Sequence, residues 1–117
     1  MSANLRIKAT FGRPGEERFL GPGVIDLLKH LQHEPSLTQG AIQMNMSYSK
    51  ATKIVNRLEK EFNTPILNRA HGGHSRAGST LTPFAVKLIT EWDKFEEAVM
   101  KVALPLAEEF TKEIGLQ

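Results

Sequence analysis

Residues 47–62 read SYSKATKIVNRLEKEF, and this stretch decides the fold. Ser47 is a hydroxyl suited to accept a bond from a first-turn N–H, so it predicts an N-cap. On a helical wheel of about 100° per residue, Ala51, Leu58 and Phe62 fall within about 60° of Val55. Ser49, Lys50, Lys53, Asn56, Arg57 and Lys60 share the opposite arc of about 120°. One face is greasy and the other carries four cations, with Lys50, Lys53 and Arg57 forming a ridge. Like charges on one helical face repel, so on the sequence alone the fold gains nothing from them, and a polyanion is the partner that neutralises them. Tyr48 falls toward the apolar side and is read as a packing residue.

Working upstream, residues 36–47 read SLTQGAIQMNMS. Ser36 predicts the N-cap of a short helix through about Met44, and Asn45 suits the left-handed position of a tight turn. A helix starting at the Gly21-Pro22-Gly23 break and carrying Leu27, Leu28 and Leu31 ends before Pro35. Residues 4–11 alternate, with Leu5, Ile7, Ala9 and Phe11 on one side, and predict a half-buried strand with a short return strand at Arg18-Phe19-Leu20.

Downstream, Asn63-Thr64-Pro65 stops the long helix. Residues 66–70 and 79–81 read as paired strands around a loop, residues 71–78, that holds three glycines. His71, His74, Ser75 and Arg76 of that loop are candidate phosphate or minor-groove contacts. Arg69 is either a phosphate clamp or an ion-pair partner of Glu59 or Glu61. Thr82 caps a final helix with Pro83 at its first position. Ala85, Leu88, Trp92, Phe95, Val99, Val102 and Leu106 alternate spacings of three and four, which is a heptad seam suited to a second subunit. Pro105 removes one helical hydrogen bond and predicts a kink or break, with a further amphipathic turn or two from Leu106 to Ile114.

Charge follows the same division. Residues 1–82 hold 11 Lys/Arg against 6 Asp/Glu, whereas residues 83–117 hold 4 against 7, so the cations gather where the candidate DNA contacts lie. A basic patch on a chain of net charge +2 fits local phosphate binding better than non-specific architectural wrapping of DNA. The chain has no cysteine, which excludes disulfides and thiolate metal sites and suits a cytoplasmic location. No signal peptide and no membrane span are expected. His30 and His33, and likewise His71 and His74, lack a convincing set of further ligands, so no metal is expected. No nucleophile elbow and no phosphate-binding loop is present, and the chain is not read as an enzyme or as needing a cofactor.

The segment 36–47, together with Ala51, Leu58-Glu59, Pro65-Ile66-Leu67-Asn68-Arg69 and Leu81-Thr82, resembles the helix-turn-helix of LysR-type regulators. The leading strand, Gly21-Pro22-Gly23 and Met46-Ser47-Tyr48 make the resemblance closer to the ModE-like N-terminal DNA-binding domain, over roughly residues 4–103. The resemblance implies a winged helix in which residues 47–62 recognise DNA and residues 66–82 form the wing. Gly40 stands where that family usually has alanine. At this length a stand-alone domain is expected, without a molybdate- or effector-binding domain and without a molybdate site.

The expected fold is mainly α with a small antiparallel sheet: a winged helix-turn-helix over 1–82 and a long dimerisation helix over 83–117. The expected function is sequence-specific binding of double-stranded DNA by a homodimer on a pseudo-palindromic operator. Ser49, Lys50, Lys53, Asn56 and Arg57 are assigned to the major groove, and Ser47, Lys60, Arg69, Ser75 and Arg76 to the backbone. Leu88, Trp92, Phe95, Val99 and Val102 are assigned to the dimer seam. The competing expectation is a winged helix that binds a protein without DNA. It calls for an acidic or apolar outer face on the recognition helix, where this one is cationic.

Overall fold

Three helices, α1 (Pro22–His33), α2 (Leu37–Gln43) and α3 (Tyr48–Phe62), form the centre of the computed structural model, which describes residues 4–68 and 79–117. Each boundary has a local cause. Pro22 sits in the first turn of α1, and the Ser36 and Ser47 side chains accept from the N–H groups of Gln39 and Lys50. Asn45 takes φ 55° between α2 and α3, and Asn63 takes φ 50° at the end of α3. Gly40 lies against α1: a β-carbon there would stand 3.1 Å from Leu27 Cδ1, which is why a small residue occupies the crossing.

The core joins Leu27, Leu28 and Leu31 of α1 with Ala41 of α2 and Ala51, Val55 and Leu58 of α3. Ile66 and Leu67 enter it from the next segment, and Ala85, Ile89 and Trp92 from α4 (Pro83–Ile114). The first turns of the last helix therefore belong to the same core as the helix-turn-helix. Between α3 and α4, β3 (Leu67–Asn68) pairs antiparallel with β4 (Thr80–Leu81), with Leu67 opposite Leu81 and Asn68 opposite Thr80. Thr82 caps α4 through the Ala85 N–H and donates its own hydroxyl proton to the Pro65 carbonyl at 2.8 Å, which anchors the base of the wing. The loop residues His71, His74, Ser75 and Arg76, and also Arg69, lie outside the described residues.

Two expectations are corrected. The strand proposed for residues 4–11 shrinks to β1 (Phe11–Gly12), paired with β2 (Arg18–Leu20). A strand needs a hydrogen-bonding partner, and the return strand is only three residues long. Residues 5–9 instead run beside α4, where Leu5, Ile7 and Ala9 share a hollow with Phe95, Val99 and Met100. Nor does Pro105 end the last helix: α4 continues through it to Ile114. The Lys101 carbonyl that Pro105 cannot bond lies on an exposed stretch, open to solvent rather than buried without a partner. Among the described residues, no helix is long and apolar enough to cross a membrane, and no cluster of three or more His, Asp or Glu could hold a metal ion.

Candidate nucleic-acid interface

The two faces of α3 divide as the wheel requires. Ala51, Val55 and Leu58 are buried, while Ser47, Ser49, Lys50, Lys53, Asn56 and Lys60 are exposed. Among the described residues, no carboxylate pairs with the ammonium groups of Lys50, Lys53 or Lys60. These three charges share an open helical face with Ser49 and Asn56, whose side chains can donate and accept hydrogen bonds. The greasy opposite face fixes the rotation of the helix and therefore which side chains point outward.

Arg57 departs from the expected pattern. Its Nε donates to Glu61 Oε2 at 2.8 Å and its Nη2 to Glu16 Oε1 at 3.3 Å. Its guanidinium also lies over the Phe19 ring, 5.6 Å from the centroid. Glu61 accepts a second bond at 2.9 Å from Arg13 Nε, so two arginines share one carboxylate. The fold does use this cation: it ties the β1–β2 hairpin to α3, and its place as a base reader is withdrawn. The i, i+4 partner Glu61 was visible in the sequence. Glu16, Arg13 and Phe19 lie 38 to 44 residues away in sequence, and no local pattern could bring them in.

The Arg57 and Arg13 guanidiniums beside Glu61 hold its carboxyl below the usual carboxylate range. A carboxylate with a depressed folded pKa contributes stability that is full above its unfolded value, about 4.3, and is lost as pH falls through the folded value. Glu61→Gln is therefore expected to lower stability at neutral pH and to flatten the fall in stability on acidification below about pH 4.3, read from urea melts across pH. A wild-type-like acid limb in the variant would show that the cluster contributes nothing to folding.

Tyr48 is also corrected. It is 57% exposed, not packed. The wheel gives a side chain's angle but not its height along the axis. Tyr48 is the first residue of α3, beyond the end of the core beneath that face. It therefore stands beside Ser47 and Ser49 as an aromatic group at the leading end of the helix. Glu59 serves the fold instead, since its Oε2 accepts from the Ile66 N–H at 2.9 Å and fixes the chain as it enters β3.

Of the five seam residues, Trp92 is only 4% exposed and packs edge-on against Phe11, with ring centroids 6.1 Å apart. Leu88 rests partly buried on the same core. Phe95 contacts both Phe11 and Trp92. Trp92 and Leu88 are thus consumed by their own chain and are removed from the seam. Val99 is half-buried, whereas Val102 is 67% exposed. Leu106, Phe110 and Ile114 continue the exposed apolar row at four-residue steps beyond it.

A family model for the bacterial regulatory helix-turn-helix protein, lysR family, matches residues 24–86, which span α1, α2, α3 and the strands of the wing. The chain is 30% identical over 86 residues to the DNA-binding transcriptional dual regulator ModE of Escherichia coli K12, covering 74% of this chain and 33% of that protein. It is 35% identical over 75 residues to the transcriptional regulator ModE of Yersinia pestis, covering 64% of this chain and 28% of that protein. The ModE of Haemophilus influenzae is 32% identical over 78 residues, with 67% and 31% covered. The chain thus spans about a third of the length of the curated relatives it matches. With the capped helix pair, the turn at Asn45 and the strand pair after α3 all inside the matched span, this chain belongs to the lysR family of bacterial regulatory helix-turn-helix proteins.

Proposed function

We propose that the chain is a transcription regulator that binds double-stranded DNA sequence-specifically, as a dimer on a pseudo-palindromic operator. The observation that carries the reading is the set of exposed lysines, Lys50, Lys53 and Lys60, which have no acidic partner among the described residues and lie on the outer face of a helix whose opposite face packs Ala51, Val55 and Leu58 into the core. An α-helix fits the major groove, and side chains near its start reach base edges first. Ser49, Lys50, Lys53 and Asn56 take that role, joined by Tyr48. Ser47 and Lys60 contact the flanking backbone, and Arg69, Ser75 and Arg76 do so from the wing. Arg57 holds the hairpin rather than the DNA.

The dimer rests on the far half of α4. Val102, Leu106, Phe110 and Ile114 leave an apolar row in water, and a second copy of the helix covers it by the same spacing. Residues 1–82 then supply the DNA-binding part and residues beyond Val99 the dimer seam, with the two recognition helices one turn of DNA, about 34–36 Å, apart.

Selection of bound fragments from a random duplex library tests both halves of this reading. The expected product is one motif repeated in inverted orientation, bound with an affinity that falls as a power of salt concentration. Recovery of no motif, or of salt-independent binding, would replace it with the protein-binding alternative.

A further inference from the structure

The β1–β2 hairpin takes no part in a helix-turn-helix as such, yet it is fastened to α3 with unusual care. Phe19 meets Phe62 edge-on at 6.2 Å, and Phe62 in turn meets Phe84 at 5.3 Å. The cluster of Arg13, Arg57, Glu61 and Glu16 closes the outer side. The docking brings Glu17 and Arg18 of the hairpin to the same cleft, about 650 Å³, that Ser47, Ser49, Lys50 and Lys53 line from the recognition helix.

Arg18 is held ready in this cleft. Its Nε donates to Thr10 Oγ1 at 3.2 Å and its Nη2 to the Thr10 carbonyl at 2.8 Å. The side chain lies flat across Gly12: a β-carbon there would stand 2.8 Å from Nη1 and 2.9 Å from Cδ. A side chain at position 12 would therefore push the Arg18 side chain off this path. Neither bond is to a carboxylate, and among the described residues no carboxylate pairs with Arg18. With Arg57 already paired to two glutamates, the charge facing the cleft is that of Arg18, Lys50 and Lys53 against Glu17 alone.

We propose that the β1–β2 hairpin is a second DNA-contacting element, and that Arg18 binds a backbone phosphate beside the groove entered by α3. A guanidinium whose rotamers are already fixed loses little entropy when it meets a phosphate, and it suits the planar geometry of that contact. The inference rests on the DNA-binding reading above and adds a contact surface to it.

The test uses the complete chain and a duplex that the wild-type protein retards, with the dissociation constant measured across salt concentrations. Arg18→Gln is expected to weaken binding and to reduce the slope of log affinity against log salt by about one. Glu17→Lys adds a cation at the same cleft and is expected to tighten binding and steepen the slope by about one. Glu17→Lys is the deciding variant wherever Arg18→Gln lowers the melting temperature, because a purely structural hairpin would not gain affinity from it. A wild-type slope in folded Glu17→Lys overturns the hairpin contact while leaving α3 as the reader. A wild-type protein that retards no duplex overturns both readings together.

Discussion

Trp92→Ala is expected to lower the unfolding free energy by about 3–5 kcal/mol, a large share of the roughly 5–15 kcal/mol that holds a domain of this size together. The tryptophan is 4% exposed and roofed by Phe11, and Phe95 abuts it. An indole buries roughly 150–250 Å², and its removal loses both that area and the edge-on ring contacts. Val102→Glu and Leu106→Glu form the contrast. Both residues are 67% exposed, so each change is expected to shift the melt of the single chain by no more than about 0.5 kcal/mol. They place a charge in the row proposed to face a second copy and are expected to shift the protein to monomer in sedimentation. Trp92 is the chain's only tryptophan, so the melts are followed by circular dichroism. If Trp92→Ala instead leaves the melt unchanged and dissociates a dimer, the heptad seam is the right description after all.

The heptad pattern in α4 shows what periodicity can and cannot supply. Spacing of three and four finds the apolar side of a helix from Ala85 to Leu106, but it does not say which partner covers each stretch. In the structure the partner changes along the helix: the core and Phe11 cover Ile89 and Trp92, and nothing described covers Val102 and Leu106. End signals were easier to read because they act over three or four residues. Ser36, Ser47 and Thr82 cap their helices, and Asn45 takes the left-handed turn, as the residues themselves require. Arg57 lies at the other extreme. Its wheel position is outward, but its bonding is set by a hairpin that arrives from residues 13–19. The exposed lysines were legible because no acidic group among the described residues competes for them, whereas an arginine near aromatic and acidic groups was open to capture.

That difference determines how the recognition face is best tested. A substitution at Arg57 would release the hairpin and confuse folding with binding, so the informative variant is Lys50→Ala/Lys53→Ala. Both side chains are exposed, neither has an acidic partner among the described residues, and alanine favours the helix they occupy. The double variant is expected to melt within about 0.5 kcal/mol of the wild type. Each lysine is expected to supply about 1–2 kcal/mol of binding, so together their loss weakens retardation of the selected duplex by roughly 30- to 1000-fold. The slope of log affinity against log salt is expected to fall by about two if both meet phosphates. It falls by less if one of them reads a base edge, and in that case the preferred base at one position of the motif relaxes as well. Wild-type affinity and salt dependence in a folded double variant would mean that this face of α3 does not meet DNA, since no other pair of its side chains combines exposure, charge and nearness to the start of the helix.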